Sequence, residues 1–301
     1  MKIAISGLGK MGSQIAKKLH EGGHTVIAHN RSQGLVDEMK ILGMSGVYTK
    51  EEVISSFGND QVIIWMMVPS DVVDSELDIW LSLIPRGSII IDGGNSKWSD
   101  TKKRAEKIKE QGSVFIDIGT SGGVWGYQNG FSMMVGGESN SVEIIKPALE
   151  TLKNPEGMYS YFGESGSGHY VKMVHNAIEY GMMESLAEGY RLLKEGPYKN
   201  LDLYKAGVVW QHHSVITSWL NELTRDIVKD NPDQDNVSGV VAESGEARWA
   251  LEVAKDFDIE APAIQTSFDV RLLSQKGKIN FATKLLASMR NAFGGHKINE
   301  K

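Results

Sequence analysis

Short apolar runs alternate with amphipathic segments over the first half of the chain. Buried strands are expected at residues 3–5, 25–28, 62–67, 88–91 and 114–118, with the last strand near 133–135. Helical periodicity separates these runs at 12–22, 35–42, 72–83 and 101–110. Strands that alternate with helices at this spacing are typical of a parallel sheet with helices on both faces.

The pattern changes after about residue 165, where strand-like runs almost disappear. A long helical pattern extends from Gly166 to about Lys194. Further helices are expected at 201–220, 246–256, 263–273 and 281–293. The sequence therefore predicts an α/β domain over residues 1–165, followed by an all-α helical domain over 166–301.

Composition narrows the possible functions. The 301 residues are 41% hydrophobic and 23% charged, which is enough for two cores, and the formal net charge of −6 argues against nucleic-acid binding. Because the chain has no cysteine, disulfides, thiolate-bound zinc and a cysteine nucleophile are excluded. The N-terminus is typical of a buried strand, and no apolar run is long enough for a bilayer, so we expect a cytoplasmic protein.

The first predicted strand ends in a glycine-rich loop. This G-x-G-x-x-G consists of Gly7, Leu8, Gly9, Lys10, Met11 and Gly12. Such a loop lets the backbone approach a pyrophosphate, which the N-terminus of the following helix also attracts. Because a strand, this loop, a helix and a second strand follow in order, we expect a Rossmann-type doubly wound parallel sheet that binds a nicotinamide dinucleotide.

The end of the second predicted strand bears on the choice of cofactor. Asn30 stands where NAD-specific proteins favour an acidic residue, and Arg31 and Ser32 follow it. An amide does not repel a 2′-phosphate, and an arginine can pair with one, so NADP is favoured over NAD. Val68 and Asn95, at the ends of later strands, complete the expected cofactor contacts.

A polar stripe follows one face of the long predicted helix. Lys172, His175, Asn176 and Glu179 stand at offsets 0, 3, 4 and 7, while their neighbours are largely apolar. A salt-bridged solvated face is the alternative interpretation, but such a face is usually broader. We interpret the stripe as the lining of a cleft, in which a partly buried lysine can act as a base.

Two further loops follow predicted strands, where open α/β sheets bind their ligands. Residues 92–96 and 120–123 combine glycines with short hydrogen-bonding side chains. Each could be only a tight turn, but together they favour a hydroxylated substrate.

With these motifs the chain resembles the 6-phosphogluconate dehydrogenases (decarboxylating), and more closely their short-chain bacterial branch. The motifs that carry the resemblance are GLGKMG at 7–12, HNRS at 29–32, DGGNS at 92–96, TSGG at 120–123, VKMVHNAIEYG at 171–181 and RNAFGGH at 290–296. The chain departs from the longer members of the family at Val124 and Trp125, where they carry acidic residues. It also lacks their lysine before residues 244–249.

The resemblance implies a reaction and the residues that perform it. Lys172 would take the C3 hydroxyl proton of 6-phosphogluconate while hydride passes from C3 to the nicotinamide. CO2 is then lost, Glu179 would protonate C1 of the resulting enediol to give ribulose 5-phosphate, and no metal is required. The resemblance also implies that the hydroxyls and carboxylate are held by Asn95, Ser121, Gly122, Gly123, His175 and Asn176. It assigns the phosphate to Tyr180, Arg271, Arg290 and His296.

The resemblance also implies a homodimer or homotetramer, in which the C-terminal tail contributes Arg290 and His296 to a neighbouring site. Two alternative functions stay open. The first is a 3-hydroxyisobutyrate-type dehydrogenase, which oxidises without decarboxylation and needs no phosphate site. The second is a nicotinamide-binding sensor without turnover. The intact Lys172 and Glu179 pair argues against the sensor.

Overall fold

The computed structural model describes residues 1–296, and the chain divides into two compact units, Met1–Met173 and Val174–Lys301. The strands of the first unit are β1 Lys2–Ser6, β2 Thr25–His29, β3 Ser45–Val47, β4 Ile63–Met66, β5 Ile89–Asp92, β6 Val114–Ser121, β7 Ser132–Gly136 and β8 Tyr159–Gly163. Its helices are α1 Lys10–Glu21, α2 Gln33–Ile41, α3 Lys50–Phe57, α4 Val73–Leu83, α5 Trp98–Glu110, α6 Gly126–Asn129 and α7 Ser139–Lys153.

The eight strands form one sheet in the order β3-β2-β1-β4-β5-β6-β7-β8. All neighbours are parallel except β6 and β7. Strands β4 and β5 are buried at every residue, since an apolar cluster with α1, α2 and α7 covers one face and a cluster with α3, α4 and α5 covers the other. The expected doubly wound sheet is confirmed, and its strand order reverses between β1 and β4.

Two edge strands differ from the expectation. The strand near 133–135 was expected to be the last, but β8 follows it at Tyr159–Gly163. Three of the five β8 residues are exposed, so β8 lacks the buried apolar run by which the central strands were found. Strand β3 has only three residues, which is too short for a periodic pattern. Strand β7 also runs antiparallel to β6, which apolar patterning does not reveal.

Within residues 174–296, the second unit contains helices and the segments that connect them, with no strand. Its helices are the greater part of α8 Ser167–Glu195, α9 Leu203–Gln211, α10 Trp219–Asp230, α11 Glu246–Asp256, α12 Pro262–Gln275 and α13 Phe281–Gly294. Their core includes Met183, Tyr190 and Leu285, which are fully buried. Within residues 1–296, no helix has the length and apolarity needed to cross a bilayer.

The expected helix over 201–220 is wrong as a single element. It divides into α9 and α10, because Ser218 accepts a hydrogen bond from the Asn221 N–H and starts a new helix. The expected domain boundary at 165/166 falls just before α8, whereas the compact units divide within that helix, after Met173.

Candidate active site

The glycine loop turns at the end of β1 and opens α1, as the sequence predicts. Gly7 has a φ of 102°, and a Cβ there would lie 2.4 Å from the Met67 carbonyl oxygen and 3.2 Å from Val68 Cγ1. A Cβ at Gly12 would lie 1.9 Å from the Gly7 carbonyl oxygen. Glycine is therefore required at both positions by the packing of the loop against α1 and the end of β4.

Gly9 differs from the other two glycines, because an added Cβ would meet no protein atom within 4 Å. Gly9 is the N-cap of α1, and no side chain in the described part of the chain caps this helix. The buried Leu8 side chain packs into the core, so Leu8 presents only its backbone to the loop. Lys10 is exposed and Met11 is half-buried at the helix start. Open space beside an uncapped helix N-terminus fits a dinucleotide pyrophosphate.

Asn30 ties the end of β2 to the glycine loop. Its side-chain oxygen accepts the Leu8 N–H at 3.0 Å, and its side-chain nitrogen donates to the Ser32 carbonyl at 3.3 Å. Arg31 and Ser32 are exposed beside it. The strand end thus presents an amide and a guanidinium, with no carboxylate at position 30, which suits a 2′-phosphate.

His29 is a residue of this region that sequence reasoning missed. Its imidazole is buried, with Nδ1 3.1 Å from Ser6 Oγ and the ring edge-on to Trp80 at a centroid distance of 5.8 Å. Burial and the charge of Lys50 lower the pKa of His29, so the ring is neutral at pH 7 and links β2 to β1. Its place as the last residue of a buried strand could have indicated this role.

The loop after β5 is shaped by a buried carboxylate. Asp92 accepts the Gly94 N–H at 3.1 Å with Oδ1 and the Ser96 hydroxyl at 2.6 Å with Oδ2. A Cβ at Gly93 would lie 2.0 Å from Trp65 Nε1, so only glycine fits there. The loop presents Asn95 as an exposed side chain at the carboxyl end of the sheet.

The loop after β6 carries Ser121, Gly122 and Gly123, all half-buried. Both glycines have a positive φ, of 138° and 53°. A Cβ at Gly122 would lie 3.1 Å from Phe131 Cδ1, so the turn is close-packed as well as left-handed. This loop and the Asn95 loop follow adjacent parallel strands, which places both at the same edge of the sheet.

Lys172 lies in the first unit, on the early part of α8, and is only 6% exposed. A Cβ at Gly119 would lie 2.2 Å from Lys172 Cβ, so the lysine stem lies directly on β6, two residues before Ser121. A buried lysine whose stem is held on a strand next to a ligand-binding loop is placed as a general base would be. The stripe continues along α8 with the half-buried His175 and Glu179.

In the second unit, the stripe residues are fixed by a segment that sequence reasoning did not assign to the site. Asn176 donates to Glu246 Oε1 at 3.0 Å, and its own oxygen lies 2.9 Å from His175 Nδ1. The Tyr180 hydroxyl accepts the Ser244 N–H at 3.1 Å and lies 3.3 Å from Ser244 Oγ. The polar side chains around residues 244–246, which precede and open α11, were the only indication of these contacts.

Arg271 and Arg290 are both buried in the second unit, 1% and 8% exposed respectively. The Arg271 guanidinium carbon lies 3.2 Å from the centroid of the Tyr180 ring. Burial lowers the pKa of Arg271 to about 10, and the charge of Arg290 acts in the same direction. Among residues 1–296, no carboxylate forms a salt bridge with either arginine. The charges of Glu179 and Glu184 act on Arg271 in the opposite direction, toward a higher pKa. Two buried guanidinium groups that no salt bridge within residues 1–296 neutralises are suited to a phosphate.

His296 is exposed, with its ring 6.5 Å from that of Phe293. Residues 297–301 of the tail lie outside the described part of the chain. In residues 1–296, no group of three histidine or carboxylate side chains is placed to hold a metal ion.

Comparison with known proteins identifies the family. Residues 2–163 match the profile of the NAD binding domain of 6-phosphogluconate dehydrogenase, and residues 168–301 match that of its C-terminal domain. YqeC of Bacillus subtilis, provisionally named a 6-phosphogluconate dehydrogenase, is 38% identical over the full length of both chains. An NAD(+)-dependent, decarboxylating 6-phosphogluconate dehydrogenase of Haloferax volcanii is 33% identical over all of this chain and 99% of its own.

Solved structures agree with these matches. The Plasmodium falciparum 6-phosphogluconate dehydrogenase, studied with NADP+ and with 6-phosphogluconate, superposes with a TM-score of 0.82 at 27% identity over 92% of this chain. The chain spans 63% of that longer protein. A Mycobacterium tuberculosis 3-hydroxyisobutyrate dehydrogenase, 18% identical with a TM-score of 0.72 over 96% of this chain and 99% of its own, shares the fold. The chain belongs to the 6-phosphogluconate dehydrogenase family.

Proposed function

We propose that this protein catalyses the oxidative decarboxylation of 6-phosphogluconate to ribulose 5-phosphate and CO2, with reduction of NADP. The observation that carries the proposal is the stripe on α8, which begins with the buried Lys172 packed against Gly119 of β6. A buried amine next to the loop of Ser121–Gly123 suits the deprotonation of a hydroxyl group on a small substrate. The family matches over both units support the same activity.

Two side chains divide the proton transfers. The Lys172 amine accepts the C3 hydroxyl proton as C3 is oxidised, and a bound nicotinamide would supply the hydride acceptor. As the carboxylate leaves as CO2, the protonated Lys172 stabilises the negative charge that develops on the C3 oxygen. Glu179, seven residues further along α8, then donates a proton to the carbon that carried the carboxylate, which is C2 of 6-phosphogluconate and becomes C1 of ribulose 5-phosphate. Separate groups are needed because one proton leaves oxygen and a different proton later arrives at carbon.

The substrate and cofactor would be held at defined places. The proposed contacts to hydroxyls and carboxylate are Asn95, Ser121, Gly122, Gly123, His175 and Asn176. The phosphate would bind Tyr180, Arg271, Arg290 and His296, of which Arg271 and Arg290 are the buried cations described above. The cofactor would bind the loop of residues 7–12, with Asn30, Arg31, Ser32, Val68 and Asn95. The open space at Gly9 supports the pyrophosphate contact.

A homodimer or homotetramer is proposed as well, with the C-terminal tail contributing to a neighbouring site. The exposed His296 suits that contribution. Arg290, buried in its own helical unit with its charge acting on Arg271, fits the phosphate site of its own subunit better. Light scattering coupled to size exclusion would measure the mass; a monomer at micromolar concentration would contradict the proposal.

The activity is tested by incubating the purified full chain with 6-phosphogluconate and either NADP or NAD. We expect the absorbance of reduced nicotinamide and released CO2 to rise in equal amounts, with little rate on gluconate, which lacks the phosphate. If the protein instead reduces the cofactor with 3-hydroxyisobutyrate as substrate and releases no CO2, the 3-hydroxyisobutyrate-type dehydrogenase is favoured. Cofactor binding without turnover of any of these acids would favour a sensor.

Replacing Asn30 with aspartate is expected to shift the preference from NADP toward NAD. The new carboxylate can still accept the Leu8 N–H, but its second oxygen replaces the amide nitrogen that faces the Ser32 carbonyl. A like charge near a 2′-phosphate costs about 1 kcal/mol or more, so we expect the NADP/NAD ratio of kcat/KM to fall about tenfold.

The matched control is Asn59→Asp, the same chemical change on an exposed residue after α3. The NADP/NAD ratio of kcat/KM of this variant should equal that of the unmodified protein. An unchanged ratio in Asn30→Asp would show that residue 30 does not determine the preference.

A further inference from the structure

Asp117 is a fully buried carboxylate on β6 to which the proposed reaction gives no role. Its Oδ1 accepts the Gly166 N–H at 2.7 Å and its Oδ2 accepts the His169 N–H at 2.8 Å. These two groups belong to the residue before α8 and to its first turn. A buried carboxylate must be compensated, and the positive end of a helix dipole with two N–H donors provides that compensation. Asp117 thus caps α8 from another element of the fold.

The contact between the start of α8 and β6 is direct, because glycines remove the side chains that would separate them. A Cβ at Gly136 would lie 2.7 and 2.8 Å from the two Asp117 carboxylate oxygens. A Cβ at Gly168 would lie 2.4 Å from the Met134 carbonyl oxygen and 2.8 Å from that of Asp117. The first turn of α8 therefore rests on the backbone of β6 and β7, and a small change there displaces the helix.

His169 gives this turn a second attachment within the same unit. Its ring is buried, 1% exposed, with Nδ1 2.8 Å from the Thr101 hydroxyl of α5. The backbone of His169 is thus held by β6 and its side chain by α5. Lys172 stands three residues further along, so its Cα lies about one helical turn beyond this anchor.

The same strand also contacts Lys172. Residues 117 and 119 point to the same face of β6, because successive side chains of a strand alternate. Asp117 holds the first turn of α8, and Gly119 lies against the stem of Lys172. Two residues later β6 ends in the loop of Ser121–Gly123. One strand thus sets the position of both the lysine and the proposed substrate loop.

We infer that Asp117 is a positioning residue for Lys172: by fixing the first turn of α8 on β6, it sets where the lysine amine meets the C3 hydroxyl of the substrate. The inference rests on the proposed function, in which Lys172 is the base. A displacement of about 1 Å between reacting groups can cost about 100-fold in rate, so a loosened cap affects catalysis before it affects binding.

The test compares Asp117→Asn and Asp117→Ser with the unmodified protein. Asparagine keeps the size and one acceptor oxygen, whereas serine removes both contacts. Active sites are counted by titration with NADP, and kcat and KM are then measured for 6-phosphogluconate. We expect kcat to fall about 100-fold in Asp117→Ser and less in Asp117→Asn, while the KM values for both ligands change less than about threefold.

Thr49→Ala is the matched control, because it removes the cap of another helix in the same unit. Thr49 Oγ1 accepts the Glu52 N–H at 3.2 Å at the start of α3, and Thr49 is not one of the residues of the proposed site. The control should lower the melting temperature and leave kcat per active site unchanged. Equal kcat losses in the control and the Asp117 variants would overturn the inference, since a general loss of stability would then explain both.

The remaining outcomes are also decisive. An unchanged kcat in Asp117→Asn and Asp117→Ser, at full NADP binding, overturns the inference. If neither variant binds NADP, Asp117 is needed for folding of the first unit as a whole, and the inference is overturned as well. Absence of turnover in the unmodified protein is a different result, because it rejects the proposed function itself.

Discussion

Lys172→Met is expected to abolish turnover of 6-phosphogluconate while NADP binding stays unchanged. Methionine is close to lysine in length and has no charge, so it fits the buried site and keeps the packing of the stem on Gly119. The variant removes both the proton acceptor and the cation that stabilises the developing charge on the C3 oxygen. General base catalysis alone contributes about 10²–10⁴-fold, and we expect a loss at the upper end, about 10⁴-fold in kcat.

The measurement is the rate of reduced cofactor formation per active site, with active sites counted by NADP titration. Lys194→Met is the matched control, since it makes the same change near the C-terminus of the same helix, where Lys194 forms a salt bridge with Asp233. That variant should turn over at close to the unmodified rate. A Lys172→Met protein with near-normal kcat would remove the base from the proposed mechanism.

Two glycine-to-alanine variants of the loop are expected to separate ligand binding from folding. Gly9→Ala should fold normally, because an alanine methyl there meets no protein atom within 4 Å and the backbone φ of −66° suits any residue. The methyl would occupy the space where the pyrophosphate approaches the start of α1. We expect the Kd for NADP to rise about 100-fold, which corresponds to about 2.7 kcal/mol, with an unchanged melting temperature.

Gly12→Ala is expected to lower both the melting temperature and the affinity for NADP. Its methyl would lie 1.9 Å from the Gly7 carbonyl oxygen, so the loop or α1 must move. Thermal melting and NADP titration of both variants measure the contrast. Gly189→Ala is the control, a helical glycine of α8 whose added methyl also meets nothing within 4 Å. Tight NADP binding by Gly9→Ala would show that the open space is not the pyrophosphate site.

Most of the fold could be predicted because its central strands are short apolar runs between amphipathic helices. Strands β4 and β5 are buried at every residue, and their sequences show it. The edge strand β8 was missed since most of its residues are exposed. The division of the segment over 201–220 was missed because the apolar periodicity continues across the break at Ser218.

The site could be predicted only where its residues are close in sequence. Lys172 and Glu179 stand two helical turns apart, so spacing alone places them on one helix face. Asp117 and Glu246 were missed, since their partners His169 and Asn176 lie 52 and 70 residues away. No local pattern indicates such contacts. The two buried arginines entered only through the family resemblance, because isolated arginines are usually exposed.

The strand order separates the residue proposed to select the cofactor from the residue proposed as the base. Strand β2, whose end carries Asn30, is separated from β6, which supports Lys172, by β1, β4 and β5. Four strand spacings of about 4.8 Å place these two ends roughly 19 Å apart. On the proposed roles, we expect substitutions at Asn30 to change the cofactor preference without displacing Lys172. The same separation would allow relatives to differ in cofactor while keeping their chemistry, as the names of a Haloferax volcanii enzyme dependent on NAD and a Plasmodium falciparum enzyme solved with NADP suggest.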